Sequence, residues 1–269
     1  METKRLLFVA QEMDPYLAIT EMANLVKRLA PISNDNGWEV RVLMPRFGII
    51  NERRNRLHEV VRLSGINIII DDLDYPLIIK VASLPGTRIQ VYFLDNEEFF
   101  KRKAVFRDEE DKFFDDNGDR MIFFCKSLIE TVRKFGWTPN VIHCHGWFTS
   151  LIPLYLRTHY AKDPIFLNSK IIYSLYGNEF KEKFNKKLLK KVKISDQIKD
   201  KDVELLESLN NEALTKIGIK YAHAISVGTE NLDELATYKK FAGKKPFLEY
   251  QEEVDVQQNY LEFYNKLIE

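Results

Sequence analysis

A chain of 269 residues, 45% hydrophobic and 30% charged, carries enough apolar surface for one large core. Forty basic side chains balance forty acidic ones, so no global field draws it to nucleic acid or an anionic membrane. Cys125 and Cys144 give no disulfide framework, there is no leader-like opening, and no window approaches the ~20 apolar residues of a membrane span, which together point to a soluble cytoplasmic protein.

Residues 5–10 (RLLFVA) form a continuous apolar run of strand length, as for a central parallel strand covered on both faces. Pro15 bars an early helix in the loop that follows. Residues 20–29 read as a helix with Met22, Leu25, Val26 and Leu29 turned inward. After Gly37, residues 39–44 alternate like a second strand, stopped by Pro45, so the opening is a right-handed βαβ unit.

Residues 53–94 change character. Short β-like runs over 57–63, 66–70, 77–84 and 88–94 are divided by Ser64-Gly65, by the acidic residues 71–74 and by Pro85-Gly86. The last divider, lying between two alternating runs, predicts a hairpin, and the segment predicts an antiparallel appendage or sheet extension. Residues 99–116 mix aromatic and charged side chains without a period and read as an irregular loop. Residues 118–135 form the clearest helix, with Met121, Phe124, Cys125, Leu128, Val132 and Phe135 at spacings of three and four.

The rest of the chain is organised around residues 139–156 (PNVIHCHGWFTSLIPLYL). Gly136 and Pro139 stop the preceding helix, Val141 and Ile142 open a strand, His143 to Trp147 form a polar loop, and residues 148–160 carry a helical period. In an α/β domain, ligands gather beyond the carboxyl ends of parallel strands. His143, His145 and Trp147 are therefore candidate ligand-binding residues; the alternative is a hydrogen-bonded core histidine and a tryptophan that covers the sheet edge. His143 and His145, two apart, face one side of a strand, but two ligands are too few for a structural zinc, and no metal is expected. Cys144 points away from both neighbours and is not an activated nucleophile.

Residues 170–175 (KIIYSL) predict another buried strand, with a turn at Gly177-Asn178. Residues 181–193 carry seven lysines against Glu182, either as a solvated helix face or as a polyanion patch. Residues 203–221 predict a helix, 224–227 a short strand, and Thr229 a cap for a helix over 230–235. Residues 243–246 break the chain. Residues 252–268 form a final amphipathic helix with Val256, Tyr260, Leu261, Phe263, Tyr264 and Leu267 on its apolar face, expected to dock on its own domain. Neither G-x-G-x-x-G nor G-x-x-x-x-G-K-[ST] occurs.

Five blocks, residues 5–15 (RLLFVAQEMDP), 40–48 (VRVLMPRFG), 91–100 (VYFLDNEEFF), 141–156 and 217–229 (IGIKYAHAISVGT), resemble bacterial glycogen and starch synthases, in the same order. That family, glycosyltransferase family 5, moves glucose from ADP-glucose to the 4-hydroxyl end of an α-1,4-glucan with retention. Its two Rossmann-like domains form a GT-B arrangement with the site in the cleft between. The match spans most of residues 4–235 and covers only the N-terminal, glucan-side domain. The resemblance implies an α/β fold: a single Rossmann-like domain over residues 1–245, its mostly parallel sheet flanked by helices, as in the N-terminal half of a GT-B fold. A β-rich extension near 53–94 and a C-terminal helix within 246–269, packing back on the domain, complete it.

The departures are specific. Against the family pattern E-M-x-P-x-x-K-T-G-G-L-x-D, Glu12, Met13 and Pro15 are kept, Ala18 stands at the lysine, Thr20 and Glu21 at the glycines, and Asn24 at the aspartate. In the family that lysine and the glycine backbone hold the donor diphosphate; losing a cation and placing Glu21 nearby oppose a pyrophosphate. The histidine of a T-I-H-N block aligns with Tyr176, and the aspartate of H-x-H-D-W with Gly146. Asp116, Asn117 and Arg120 match a D-N-x-x-R-F block up to Met121, and in the family that aspartate sits near the sugar. The second domain, which handles ADP-glucose, has no counterpart in these residues.

No residue is assigned as catalytic, although Asp116 and Tyr176 align with family site positions. The resemblance implies Glu12, Asp116, Asn117, His143, His145 and Trp147 as ligand-binding residues. It implies no cofactor, an α-glucan, a sugar nucleotide or a protein as partner, and neither nucleic acid nor membrane. The expectation is a one-domain homologue unable by itself to transfer glucose, serving as a glucan- or sugar-nucleotide-binding or regulatory protein. The alternative is an active glucosyltransferase, alone or with a partner chain that supplies the nucleotide domain.

Overall fold

A computed structural model describes residues 3–177 and 180–269. The chain opens with β1 (Lys4–Ala10), α1 (Glu21–Asp35) and β2 (Trp38–Pro45), followed by β3 (His58–Glu59), β4 (Ile66–Ile70), β5 (Leu73–Ser83) and β6 (Gln90–Asp95). Then come α2 (Glu97–Phe100), α3 (Asn117–Phe135), β7 (Val141–His145), α4 (Leu151–Arg157), β8 (Lys170–Leu175), α5 (Lys187–Val192) and α6 (Asp200–Val203). It closes with α7 (Asn211–Tyr221), β9 (Ala224–Val227), α8 (Leu235–Ala242), β10 (Phe247–Leu248) and α9 (Val256–Ile268).

The described strands form one sheet in the order β10-β9-β8-β7-β1-β2-β6-β5-β3, with β4 paired to β5. The run from β10 to β6 is parallel, while β5, β4 and β3 add antiparallel pairs beyond it. Residues 53–94 thus extend the sheet. The hairpin at Pro85-Gly86 joins β5 to β6 in the register Ser83↔Gln90. β1 lies at the centre, and Leu6 to Ala10 have no exposure. That is why its sequence is a continuous apolar run rather than an alternation.

Thr20 caps α1 by accepting the N–H of Met22. The helix continues six residues past the expected end at Leu29 and encloses Pro31. Ala30 and Ser33 are buried on its inner face, and this packing offsets the hydrogen bond that proline forgoes. α3 ends at Gly136, whose left-handed φ of +61° closes the helix without Cβ strain.

Several expected boundaries move. The acidic divider at 71–74 shrinks to the two-residue turn Asp71-Asp72 between β4 and β5, because Leu73 and Asp74 already belong to β5: Ile70 pairs with Leu73, and Asp71 takes the left-handed turn at φ +56°. Residues 203–221 are not one helix. They break at Leu209, φ +52°, and Asn210 caps α7 by accepting the N–H of Ala213 at 3.0 Å. Thr229 does not cap the expected helix over 230–235, because among the described residues α8 starts only at Leu235; Leu232 and Tyr238 are buried. Of the aperiodic segment, residues 99 and 100 belong to α2, capped by Asn96. Asn178, half of the expected turn, lies outside the described residues.

α9 lies against α1, with Val256, Tyr260, Phe263 and Tyr264 buried. Tyr264 meets Trp38 edge-on at 6.0 Å. No helix among the described residues is long and apolar enough to cross a membrane.

Candidate functional site

β7 is buried throughout and runs through His145, so the expected polar loop shrinks to Gly146 at φ +73°. Strand alternation places His143 and His145 on one face, with ring centroids 4.0 Å apart. Nδ1 of His143 is 2.9 Å from the Tyr264 hydroxyl, and Nε2 is 2.7 Å from Ser174 Oγ and 3.2 Å from Ser226 Oγ. A neutral imidazole donates on one side and accepts on the other, and hydroxyls can take either role, so the network closes without charge. His145 bonds the Tyr176 hydroxyl through Nδ1 at 2.8 Å.

Neither histidine has any exposure. Burial, then the neighbouring His145, holds His143 well below the ordinary imidazole range, and burial lowers His145 to about 3. Both are therefore neutral at pH 7. Cys144 faces the other side, its thiol pushed well up by burial, and is no nucleophile.

Glu12, also fully buried, turns its carboxylate onto the start of α1. It accepts the N–H groups of Ile19 and Thr20, the latter at 3.0 Å, and the Thr20 hydroxyl. An anion at a helix N-terminus is favourable, and here the chain supplies its own. Ala18, Thr20 and Glu21 are exposed around it.

The Asp116-Asn117-Arg120 block clamps the aperiodic segment. Arg120, without exposure, donates through Nε to the Phe99 carbonyl at 2.8 Å, and through one terminal nitrogen to Val105 O and Asn117 Oδ1, each at 2.6 Å. Asn117 donates to Phe106 O at 2.8 Å, and Asp116 accepts from Arg102 at 3.0 Å. Burial first, then Arg102, lowers the Arg120 guanidinium to about 9, so it stays charged at neutral pH. These side chains therefore shape the loop that walls the cleft.

That cleft, about 330 Å³, lies at the carboxyl ends of the parallel strands. Glu12 and Trp147 line it together with Thr20, Phe106, Arg107 and Phe180. Phe106 and Phe180 pack against Trp147 with centroids 4.8 and 4.9 Å away. Arg107 is held by Glu182 at 2.7 Å. Asp116 lines a separate cavity of about 220 Å³ with Asp119 and Lys191. His143, His145 and Asn117 line neither of these two spaces.

Sequence reasoning missed Phe106, Arg107 and Phe180, which sit in aperiodic stretches; the aromatic density of residues 99–116 was the available signal. In the lysine-rich segment only Lys187–Val192 is helical. Three of its lysines meet carboxylates: Lys190 at Asp71, Lys191 at Asp119 and Lys193 at Asp200. Among the described residues, no group of three or more His, Cys, Asp or Glu side chains could hold a metal.

The starch synthase catalytic domain model matches residues 5–248. Glycogen synthase of Chlorobaculum parvum is 34% identical over 227 residues, covering 82% of this chain and 45% of that protein. Glycogen synthase of Chlorobaculum tepidum is 33% identical, with coverage of 84% and 46%. The chain thus spans about half the length of the curated relatives it matches. The solved catalytic domain of starch synthase IV from Arabidopsis thaliana, bound to ADP and acarbose, superposes with a TM-score of 0.75 at 16% identity, over 94% of this chain and 53% of that one. With a family model over nearly its whole length, the chain belongs to the starch synthase catalytic domain family.

Proposed function

We propose that this chain is a glucan-side domain of the starch synthase family that binds an α-glucan end in its aromatic cleft and does not by itself transfer glucose from ADP-glucose. One observation carries the reading: among the described residues lining the cleft, Arg107 is the cation, and it is already paired with Glu182. Glucosyl transfer requires charge stabilisation of a departing nucleoside diphosphate. The half-buried Arg107–Glu182 pair is worth about 1 kcal/mol, so Arg107 can be recruited, but one monovalent cation does not neutralise a diphosphate. Ala18 adds no charge, Glu21 adds the wrong sign, and Glu12 already takes the N–H groups of Ile19 and Thr20. The apolar face of a glucose ring suits Trp147, Phe106 and Phe180, with Glu12, Thr20 and Arg107 as polar anchors.

The test is to incubate the purified chain with ADP-glucose and a maltooligosaccharide and to run it through glycogen-containing native gels. No chain extension and a retarded band are expected; extension by the chain alone would overturn the reading.

A second reading has specific support in the half-length match to glycogen synthases: a working glucosyltransferase completed by a nucleotide domain outside this sequence. Tight calorimetric binding of ADP-glucose to the isolated chain favours it.

A further inference from the structure

At the opposite end of the sheet from the cleft, His223 sits between two donors. Its Nδ1 accepts the Ile171 N–H at 2.9 Å, while its Nε2 stands 2.8 Å from a terminal nitrogen of Arg157. Burial first, then Arg157, Lys170 and Lys245, lowers the imidazole to about 4, so it is neutral at pH 7. A neutral ring with Nδ1 accepting carries its hydrogen on Nε2, and guanidinium has no acceptor. Nε2–H and Arg157 therefore present hydrogen to hydrogen. The other tautomer only moves the conflict to Ile171.

The surroundings sharpen it. Lys245 is buried enough, and close enough to Arg157, that its ammonium is also pushed down. Lys245 has a structural reason to be there, since it donates to the carbonyls of Lys220, at 2.9 Å, and Ala222 at the end of α7. Arg157 lies in the last turn of α4, where a cation is favoured, but that does not aim it at a ring nitrogen. A cavity of about 270 Å³ opens here, with Arg157, Ser169 and His223 as polar wall and Leu156, Phe166 and Ile171 as apolar wall. No carboxylate is among the described residues lining it.

We infer that Arg157 and His223 bind the oxygens of a phosphate group in this cavity. One phosphate oxygen accepts from both Nε2–H and the guanidinium, which removes the donor conflict, and its charge offsets Arg157, Lys170 and Lys245 together. The site is independent of the glucan reading, because it lies at the amino ends of β8 and β9.

The experiment follows the His223 imidazole in two-bond ¹H–¹⁵N spectra of the full chain during titration. Inorganic phosphate and glucose 1-phosphate are the two ligands, with sodium chloride at matched ionic strength as control. A saturable shift of His223 with either phosphate is expected, and the tighter of the two tells whether the natural group is free or esterified. Arg157→Gln, on an exposed side chain, should weaken binding about tenfold or more, whereas Lys162→Gln, an exposed neighbour outside the cavity, should not. Chloride reproducing the shift, no saturation with either phosphate, or unchanged affinity in Arg157→Gln would each overturn the assignment.

Discussion

The hydroxyl of Tyr264 stands 2.9 Å from Nδ1 of His143, a bond across 121 residues that ties the last helix to the middle of β7. Both groups have no exposure, so neither can exchange its partner for water. Tyr264→Phe leaves Nδ1 buried without that partner and should cost about 1–3 kcal/mol. Tyr264→Ala adds a cavity beside Phe8 and Trp38 and should cost about 3–5 kcal/mol. Urea unfolding reads both, and an unchanged midpoint in Tyr264→Phe would show that the hydroxyl does not serve His143.

Removal of residues 246–269 takes away β10 and α9 together. The Phe8–Trp38–His143 surface beneath α9 then meets water. The truncated chain is expected to melt far lower and to bind an apolar dye. Unchanged melting and solubility would mean that α9 contributes little to this fold.

Stability should fall on mild acidification. The unfolded chain protonates its histidines near 6.5, whereas His145 in the fold holds out to about 3 and His143 also lies well below 6.5. The unfolded state thus binds more protons below 6.5, and stability rises with pH across that window. The contribution is fully present above 6.5 and is lost progressively towards 3. At pH 5 His145 alone should remove about 2 kcal/mol, from about 1.4 kcal/mol per pH unit. A melting temperature flat from pH 7 to 5 would contradict the buried neutral pair.

Gly228 lies against the ring of Tyr176, and a Cβ there would overlap it. Gly228→Ala must displace the ring and strain its 2.8 Å bond to His145. A loss of about 1–3 kcal/mol is expected, together with a changed His145 imidazole resonance. If the resonance stays put, the ring has somewhere else to go.

Ala18 is exposed two residues from Thr20 on the cleft wall. Ala18→Lys should strengthen ADP binding at low salt, with the gain disappearing at high salt as screening shortens the field. Calorimetry at two salt concentrations checks this. No gain at low salt would mean that position 18 does not face a diphosphate.

By itself the sequence determined the parallel α/β core. The apolar runs of β1 and β8 are what a strand covered on both faces requires, and the period of α3 needs only local geometry. It also determined that His143 and His145 share a face, because alternation along a strand is a property of the backbone. Two-residue β10, the break at Leu209 and the helical course through Pro31 were not legible, since packing against distant elements decides them. The same holds for the candidate site. Which groups meet those histidines depends on β8 and β9 lying in order beside β7, and on α9 docking beneath. A buried imidazole takes whatever hydroxyl the tertiary structure brings within 3 Å or so, and no local pattern in the chain records that Tyr264 and Tyr176 supply it.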